Sequence, residues 1–158
     1  MARTKRTDKD LQEASNHLQY EYTMLLSVAQ GLASGIAAQG WLANALLESF
    51  VIHFRGLLDF FNPPATLKPD DVIAADYFDD PNKWESIKPS PLSTTLSQAK
   101  TRAHKEVAHL TYARLEVTPE QKGWAFIDIA NEMHALMGLF LKHVPQNRLG
   151  SRWQGPKP

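Results

Sequence analysis

One short stretch of the sequence combines an arginine, two histidines and a lysine. Arg102, His104, Lys105 and His109 stand in the run Arg-Ala-His-Lys-Glu-Val-Ala-His. Seven steps of about 100° return an α-helix to nearly the same angle, so we expect Arg102 and His109 on one face. Lys105 and Glu106 are predicted to share their side, at the edge of the buried face, whereas His104 points away.

Arg102 and His109 together suit phosphodiester chemistry. An arginine fork binds phosphate oxygens through two parallel hydrogen bonds and stays charged at any working pH. A histidine can pass a proton to or from a ribose hydroxyl near neutral pH. The alternative, favoured by spacing alone, is that Arg102 forms an ion pair with Glu106, four residues further on, and that His109 bonds a backbone carbonyl.

A second polar stripe lies on the preceding predicted helix. Glu48, Arg55 and Asp59 fall together on the side opposite its apolar face. The favoured interpretation is intrahelical ion pairing, because Arg55 and Asp59 are four residues apart. The functional alternative is that the stripe faces the next helix and orients Arg102 or His109.

No metal or cofactor site is expected. On an ideal helix His104 and His109 diverge by about 140°. Glu132-Met133-His134 lacks the Glu-x-x-His spacing of carboxylate-bridged metal bundles. The sequence also has no glycine-rich phosphate loop and no His-Glu-x-x-His motif.

The elements that must position these residues are helices. Apolar residues recur at helical spacing in four segments, which we predict as helices over residues 8–32, 41–61, 91–113 and 118–144. Asp8 or Asp10 is expected to cap the first helix, and Thr118 the fourth. These helices predict an all-α protein, a four-helix bundle with a long loop between the second and third helices.

The remaining segments are predicted to be irregular. Residues 62–90 hold five prolines and an apolar patch, so we expect this loop to lie against the bundle, with a short helical turn near residues 71–75. Residues 1–147 are predicted to form a single helical-bundle domain. Residues 148–158 are predicted to be a flexible basic tail.

Composition narrows the class of protein. The chain of 158 residues has no cysteine and a formal net charge of zero, which excludes disulfides and thiolate metal sites and gives no global attraction for nucleic acid. Its apolar stretches are interrupted by charges, and the first residues are polar. We therefore expect a cytoplasmic protein with no membrane segment.

The stretch from Arg102 to His109 resembles the signature of the HEPN superfamily, helical-bundle proteins with an arginine, four to six intervening residues and a histidine. Six residues intervene here. The predicted second helix, residues 46–61, is similar to the helix that precedes this motif in many such proteins. The resemblance implies a metal-independent endoribonuclease, a toxin or antiviral defence effector, that acts on RNA as a homodimer, with an antitoxin or a nucleotidyltransferase as partner.

Carried over residue by residue, the resemblance implies that Arg102 holds the scissile phosphate and that His109 transfers or orients a proton. Members often have a polar residue directly after the arginine, whereas here Ala103 follows and His104 is the nearest polar residue. Some members carry a modified tyrosine two residues after the histidine. Tyr112 stands three residues after it, so that role is not assigned to Tyr112. The alternative function is a non-catalytic HEPN-like dimer that binds RNA, nucleotide or a partner protein, or a helical adaptor in which the motif is only structural.

Overall fold

The computed structural model describes residues 4–35 and 40–154, and over these residues the protein is all-helical, without strands. Its α-helices are α1 (Asp8–Ala33), α2 (Trp41–Phe61), α3 (Lys83–Ile87), α4 (Thr94–Arg102) and α5 (Phe126–His143). A π-helical turn, Ala103–Ala108, continues α4 directly. None of the described helices combines the length and the apolar character that a membrane crossing requires.

The two long helices at the start agree with the sequence prediction. The helix predicted over residues 8–32 is α1, which ends one residue later, and α2 has the predicted bounds. The cap of α1 is Thr7 rather than Asp8 or Asp10. The hydroxyl of Thr7 accepts from the backbone N–H of Asp10, and the Asp10 carboxylate accepts from the backbone N–H of Thr7.

Aromatic and aliphatic side chains from α1, α2 and α5 form the core. α1 packs along both α2 and α5, and α4 packs against α5. The residues buried at the centre include Leu25 of α1, Phe50 and Phe54 of α2, and Met133 and Phe140 of α5. The helical spacing of these residues explains why each helix turns one apolar stripe inward.

The segment of residues 62–90 lies against the helices, as predicted, and contributes to the core, but it was expected to be irregular around residues 83–87 and contains α3 there. Trp84 and Tyr77 are fully buried. The indole N–H of Trp84 donates to the carbonyl of Phe61 at 2.8 Å, and the hydroxyl of Tyr77 donates to the carbonyl of Leu11 at 3.0 Å. The helical turn expected near residues 71–75 is a 3-10 turn at Ala74–Tyr77.

The third and fourth helices differ from their predicted bounds. The helical path that was expected over residues 91–113 starts after Ser93, which caps α4, and ends at Ala108. Leu110, expected in the buried stripe, is therefore 92% exposed. The Thr118 cap is present, but it starts only the 3-10 turn Pro119–Lys122, and α5 begins at Phe126.

The segment after residue 147 was expected to be a flexible tail, and that expectation is wrong for residues 148–154. Arg148, Leu149 and Gly150 are buried against α1. The backbone N–H of Gly150 donates to the Ser15 hydroxyl at 2.7 Å, and the indole N–H of Trp153 donates to the Ser15 carbonyl at 2.7 Å. Polar residues of α1 hold this segment, which a search for apolar periodicity does not detect. Residues 155–158 of the predicted tail lie outside the described part of the chain.

Candidate functional site

The buried stripe of α4 separates Arg102 from His104. Leu96, Ala99 and Ala103 pack into the core. Because Arg102 precedes Ala103 and His104 follows it, the two side chains leave opposite flanks of the stripe, about 160° apart on an ideal helix. The two groups therefore face different surroundings, as the sequence predicted for His104.

Arg102 forms an ion pair with Glu106. Its Nε and Nη2 atoms donate to the two carboxylate oxygens of Glu106 at 2.8 and 2.9 Å. The side chains are only 24% and 19% exposed, so this bidentate pair is screened far less than an ordinary surface ion pair.

Two of the remaining three N–H groups of Arg102 are also engaged. Nη1 donates to the carbonyl of Gly123 at 2.7 Å, and Nη2 donates to the carbonyl of Gln121 at 2.9 Å. The guanidinium carbon lies 4.4 Å from the centroid of the Trp124 ring, a cation–π contact. Arg102 thus clamps the connection before α5 to α4, which is the structural alternative that its spacing to Glu106 favoured.

The π-helical turn brings His104 and His109 together. Their ring centroids are 4.4 Å apart in an edge-on arrangement. His104 lies within this turn and His109 directly follows its last residue, so the wider turn and the extended backbone at His109 together set the distance between the rings. The predicted divergence of about 140° is therefore wrong, because it assumed an α-helix through residue 109.

The expectation that Arg102 and His109 share one helix face is wrong for the same reason. His109 ends the helical path, and its backbone is extended, with φ of −129° and ψ of 146°. Among the described residues no hydrogen bond joins it to Arg102. Both histidines are exposed. The local residue types do not mark a π turn, so the sequence showed the five-residue spacing but not the contact.

The electrostatic surroundings of His104 favour its neutral form. Partial desolvation lowers the pKa of His104 from its ordinary value, and the positive charge of His109 lowers it further. Lys105 and Arg55 act in the same direction.

A groove of about 480 Å³ runs between α2 and the π turn. Glu48, Arg55 and Asp59 lie along it, so the stripe faces the third helical segment, which was the alternative to the favoured ion pairing. Among the described residues, no hydrogen bond joins the stripe to Arg102 or His109. The groove is lined by Glu48, Val51, Ile52, Arg55, Asp59, Val107 and Ala108. Neither His104 nor His109 lines the groove, but His109 follows the lining residue Ala108 directly in the sequence.

The charges in the groove are not joined in direct ion pairs. Among the described residues, Arg55 and Asp59 do not form the predicted ion pair. The half-buried Arg55 side chain also forms no hydrogen bond with any of these residues. Desolvation raises the pKa of Asp59, although Lys100 and Arg55 lower it. Arg55 therefore keeps its donors available inside a concave surface, whereas Arg102 does not.

The other predicted supporting residues surround the histidine pair or the clamp. Lys105 is exposed on the π turn, whereas Glu106 is half-buried against Arg102. Tyr112 is 88% exposed in the 3-10 turn Tyr112–Leu115 that follows His109. Across residues 4–35 and 40–154, histidines, aspartates and glutamates do not form a group of three able to hold a metal ion.

Two histidines elsewhere in the chain, His53 and His134, have partners in the fold. His53 is buried, and its Nδ1 atom lies 2.6 Å from a carboxylate oxygen of Glu21. The Nδ1 atom of His134 is hydrogen-bonded to the Tyr22 hydroxyl. The pair at residues 104 and 109 is the better candidate for proton transfer, because both rings are exposed and in contact with each other.

Comparison with protein-family models, with curated proteins and with solved structures finds no significant match to this chain.

Proposed function

We propose that this protein is a metal-independent endoribonuclease in which His104 and His109 transfer protons and Arg55 binds the scissile phosphate. The observation that carries the proposal is the contact between two exposed histidine rings, at 4.4 Å between centroids. Arg55, which has no direct hydrogen-bond or ion-pair partner among the described residues, lines a groove with Ala108, the residue before His109. The HEPN resemblance supports the same class of reaction. Of the two residues that the resemblance implied for the site, the proposal retains His109 in contact with RNA and assigns Arg102 to the fold.

The reaction is an attack by the ribose 2′-oxygen on the adjacent phosphorus. His104, neutral because its pKa is lowered, accepts the 2′-hydroxyl proton as the new oxygen–phosphorus bond forms. Protonated His109 donates a proton to the 5′-oxygen as its bond to phosphorus breaks. The products are a 2′,3′-cyclic phosphate and a free 5′-hydroxyl, and no water or metal takes part in this step.

Arg55 would supply the electrostatic part of catalysis. A guanidinium fork matches two phosphate oxygens and offsets the negative charge that develops in the transition state. Arg55 is half-buried in the groove, where water screens its charge less than at the open surface. Removal of one such donor typically lowers a rate about a hundred- to a thousandfold.

Cleavage of a single-stranded RNA in EDTA tests the proposal. We expect wild-type protein to leave cyclic-phosphate ends, and His104→Gln and His109→Gln to lower the rate by about a hundredfold or more. His17→Gln is the matched control, because His17 is an exposed histidine of α1. Equal rates in all four proteins would point to a contaminating nuclease and contradict the proposal.

A second candidate function is a non-catalytic HEPN-like module that binds RNA, nucleotide or a partner protein. The observation that favours it is the exposure of large apolar side chains directly after the histidine pair, at Leu110, Tyr112 and Leu115. Binding without cleavage under the same EDTA conditions would support this function over the first.

The resemblance also leads us to propose the biological setting. It implies a cytoplasmic toxin or phage-defence effector that works as a homodimer, with an antitoxin or a nucleotidyltransferase as partner. These properties rest on the resemblance alone. Sedimentation analysis of the purified protein at micromolar concentration would test the dimer first, and a monomer under all conditions would contradict it.

A further inference from the structure

The segment that follows the histidine pair displays an aromatic ring to solvent. Tyr112 is 88% exposed, and its neighbours Leu110 and Leu115 are 92% and 82% exposed. Large apolar side chains displayed in one short segment commonly mark a contact surface for a ligand or partner. The question is which kind of ligand this surface fits.

Two side-chain hydrogen bonds fix the backbone on either side of Tyr112. The Thr111 hydroxyl donates to the carbonyl of Lys105 at 2.6 Å, and Nη2 of Arg114 donates to the carbonyl of Val107 at 2.9 Å. The carbonyls at the end of a helix lack partners within it, so these bonds anchor the segment to the π turn. Tyr112 is therefore held at a fixed place, its Cα no more than about 11 Å from that of His109.

The charges around the ring favour an anionic ligand. Arg114 stands two residues after Tyr112 and His109 three residues before it, and the Thr111 hydroxyl ties the segment to the backbone of the exposed Lys105; Glu116 is the nearest acidic residue in the sequence. An exposed aromatic ring among cations is the arrangement on which bases of single-stranded nucleic acid stack. A duplex keeps its bases stacked on one another and cannot use such a ring.

We infer, on the basis of the proposed function, that the substrate is single-stranded RNA and that a base next to the cleaved bond stacks on Tyr112. The stacking would hold the phosphate chain along Lys105 and Arg114 and direct the neighbouring phosphate toward the histidine pair. Leu115 distinguishes a base from a protein partner, because positions 112 and 115 of a 3-10 turn lie in line and form one apolar ridge. A protein partner would use this whole apolar ridge, whereas a base would use the ring alone.

Binding of a fluorescein-labelled single strand with 2′-O-methyl riboses tests the inference, because this probe has no nucleophilic 2′-hydroxyl. We expect Tyr112→Ala to weaken binding by roughly five- to a hundredfold, as loss of one base–aromatic stack does. Tyr112→Phe and Leu115→Ala should stay within about twofold of wild type, and a hairpin of the same base composition should bind weakly to all four proteins. The ring is exposed, so melting temperatures should agree among them.

Two results would overturn the inference. If Tyr112→Ala bound the strand as tightly as wild type, no base would stack on Tyr112. If Leu115→Ala weakened binding as much as Tyr112→Ala does, the apolar ridge would be assigned to a protein partner. In both cases, cleavage of unmodified RNA by the wild type would leave the proposed nuclease standing. A wild type that neither binds nor cleaves RNA would overturn both.

Discussion

At the scale of single residues, His104 and His109 act on each other's protonation. Two rings at 4.4 Å cannot both carry a proton without mutual repulsion. Desolvation lowers the pKa of His104, and the positive charge of His109 lowers it further. Such a pair supplies a proton acceptor and a proton donor near neutral pH, which is the requirement of the proposed reaction.

The first prediction concerns the pKa of His104. In His109→Gln one positive charge is removed, so the protonated form of His104 becomes easier to form and its pKa rises toward the ordinary value. Lys105→Met should raise it as well, by the same sign and for the same reason. Titration of the ring protons by NMR measures both shifts, and an unchanged pKa in His109→Gln would contradict the ring contact.

The sign of the stability effect of His104 follows from the same shift. Its folded pKa is lower than its unfolded value, so the unfolded chain binds more protons as the pH falls below about 6.5. This histidine therefore lowers the free energy of unfolding in acid and leaves it unaffected well above that pH. His104→Gln should flatten this part of the pH dependence, as thermal unfolding at pH 5 and pH 8 would measure.

Prediction from residue types and spacing succeeded in part for these side chains. It placed Glu48, Arg55 and Asp59 on one stripe of α2, but it favoured an ion pair of Arg55 with Asp59 over a stripe that faces the third helix, and the groove agrees with the second alternative. It did not find the contact of His104 with His109, because that contact depends on a π turn, and the residue types do not mark one. It also did not distinguish the engaged arginine from the available one, since this depends on carbonyls of residues 121 and 123 that are distant in sequence.

At the scale of elements, Arg102 joins the end of α4 to the connection before α5. A lysine keeps the charge but cannot make the bidentate pair with Glu106 and the two carbonyl bonds together. We expect Arg102→Lys to lower the free energy of unfolding by about 1–3 kcal/mol. Hydrogen exchange in residues 119–124 should become faster, and denaturant unfolding measures the stability change.

The control for this clamp is Lys105→Arg, an exchange of the same two residue types at an exposed position of the same helical segment. It should leave stability within about 0.5 kcal/mol of wild type. If Arg102→Lys changed stability no more than this control, the clamp would have no energetic significance.

The contact between the C-terminal segment and α1 depends on Gly150. A Cβ at this position would lie 2.5 Å from the carbonyl oxygen of Gln12 and 2.4 Å from the side-chain oxygen of Asn16. The backbone of α1 cannot move aside easily, so Gly150→Ala should cost about 1–3 kcal/mol of stability. The matched control is Gly138→Ala, which has open space around it and a helical position where alanine is favoured.

Element bounds were predictable where apolar periodicity was long. α1 and α2 each span five or more turns, and their ends carry proline or capping signals. The third helix was predicted too long because Val107 and Leu110 continue its apolar spacing in sequence. In the structure, the π turn ends the helical path, and Leu110 points to solvent.

At the scale of the whole molecule, Arg148 joins three distant parts of the chain. Its guanidinium donates to Asp8 at the start of α1 and to the Tyr77 carbonyl, at 3.3 and 2.9 Å, and it is also hydrogen-bonded to Asp79. The side chain is only 11% exposed. Arg148→Met, which keeps the apolar stem, should lower the free energy of unfolding by about 2–3 kcal/mol.

The same clamp predicts a pH dependence. The hydrogen bond from Arg148 lowers the pKa of Asp79 below its ordinary value of 3.8, and the charge of Arg148 adds to this. As the pH falls, Asp79 therefore takes up a proton in the unfolded chain before it does so in the folded protein. The stabilisation by the bond between Arg148 and Asp79 is present above about pH 4 and is lost as the pH falls through the lowered pKa. Arg148→Met should lose less stability than wild type between pH 5 and pH 2.5, as denaturant titrations would measure.

The hydrogen bonds from Thr7 lower the pKa of Asp10, and this effect is the same in wild type and in Arg148→Met. The difference between wild type and Arg148→Met therefore isolates the contribution of the Arg148 clamp. Parallel acid curves for the two proteins would contradict the pH dependence assigned to Asp79.

The all-helical class was predictable from periodicity and from the absence of strand patterns, and it is confirmed. The packing of the loop was predictable because Tyr77, Phe78 and Trp84 are too apolar to stay in water. The attachment of residues 148–154 to α1 was not predictable, because a buried arginine with partners at residues 8, 77 and 79 has no local signal in the sequence. Long-range polar contacts of this kind become visible only in the folded chain.

The central claim is that the chemistry lies with Arg55 and the histidine pair, while Arg102 holds the fold. The most direct test compares RNA cleavage in EDTA by wild type, Arg55→Gln and Arg102→Gln, each assayed well below its melting temperature. We predict that Arg55→Gln loses about a hundredfold or more in rate with its melting temperature unchanged. Arg102→Gln should melt earlier yet keep a rate close to wild type while folded. A stable but inactive Arg102→Gln together with an active Arg55→Gln would contradict the account, as would a wild type that does not cleave RNA.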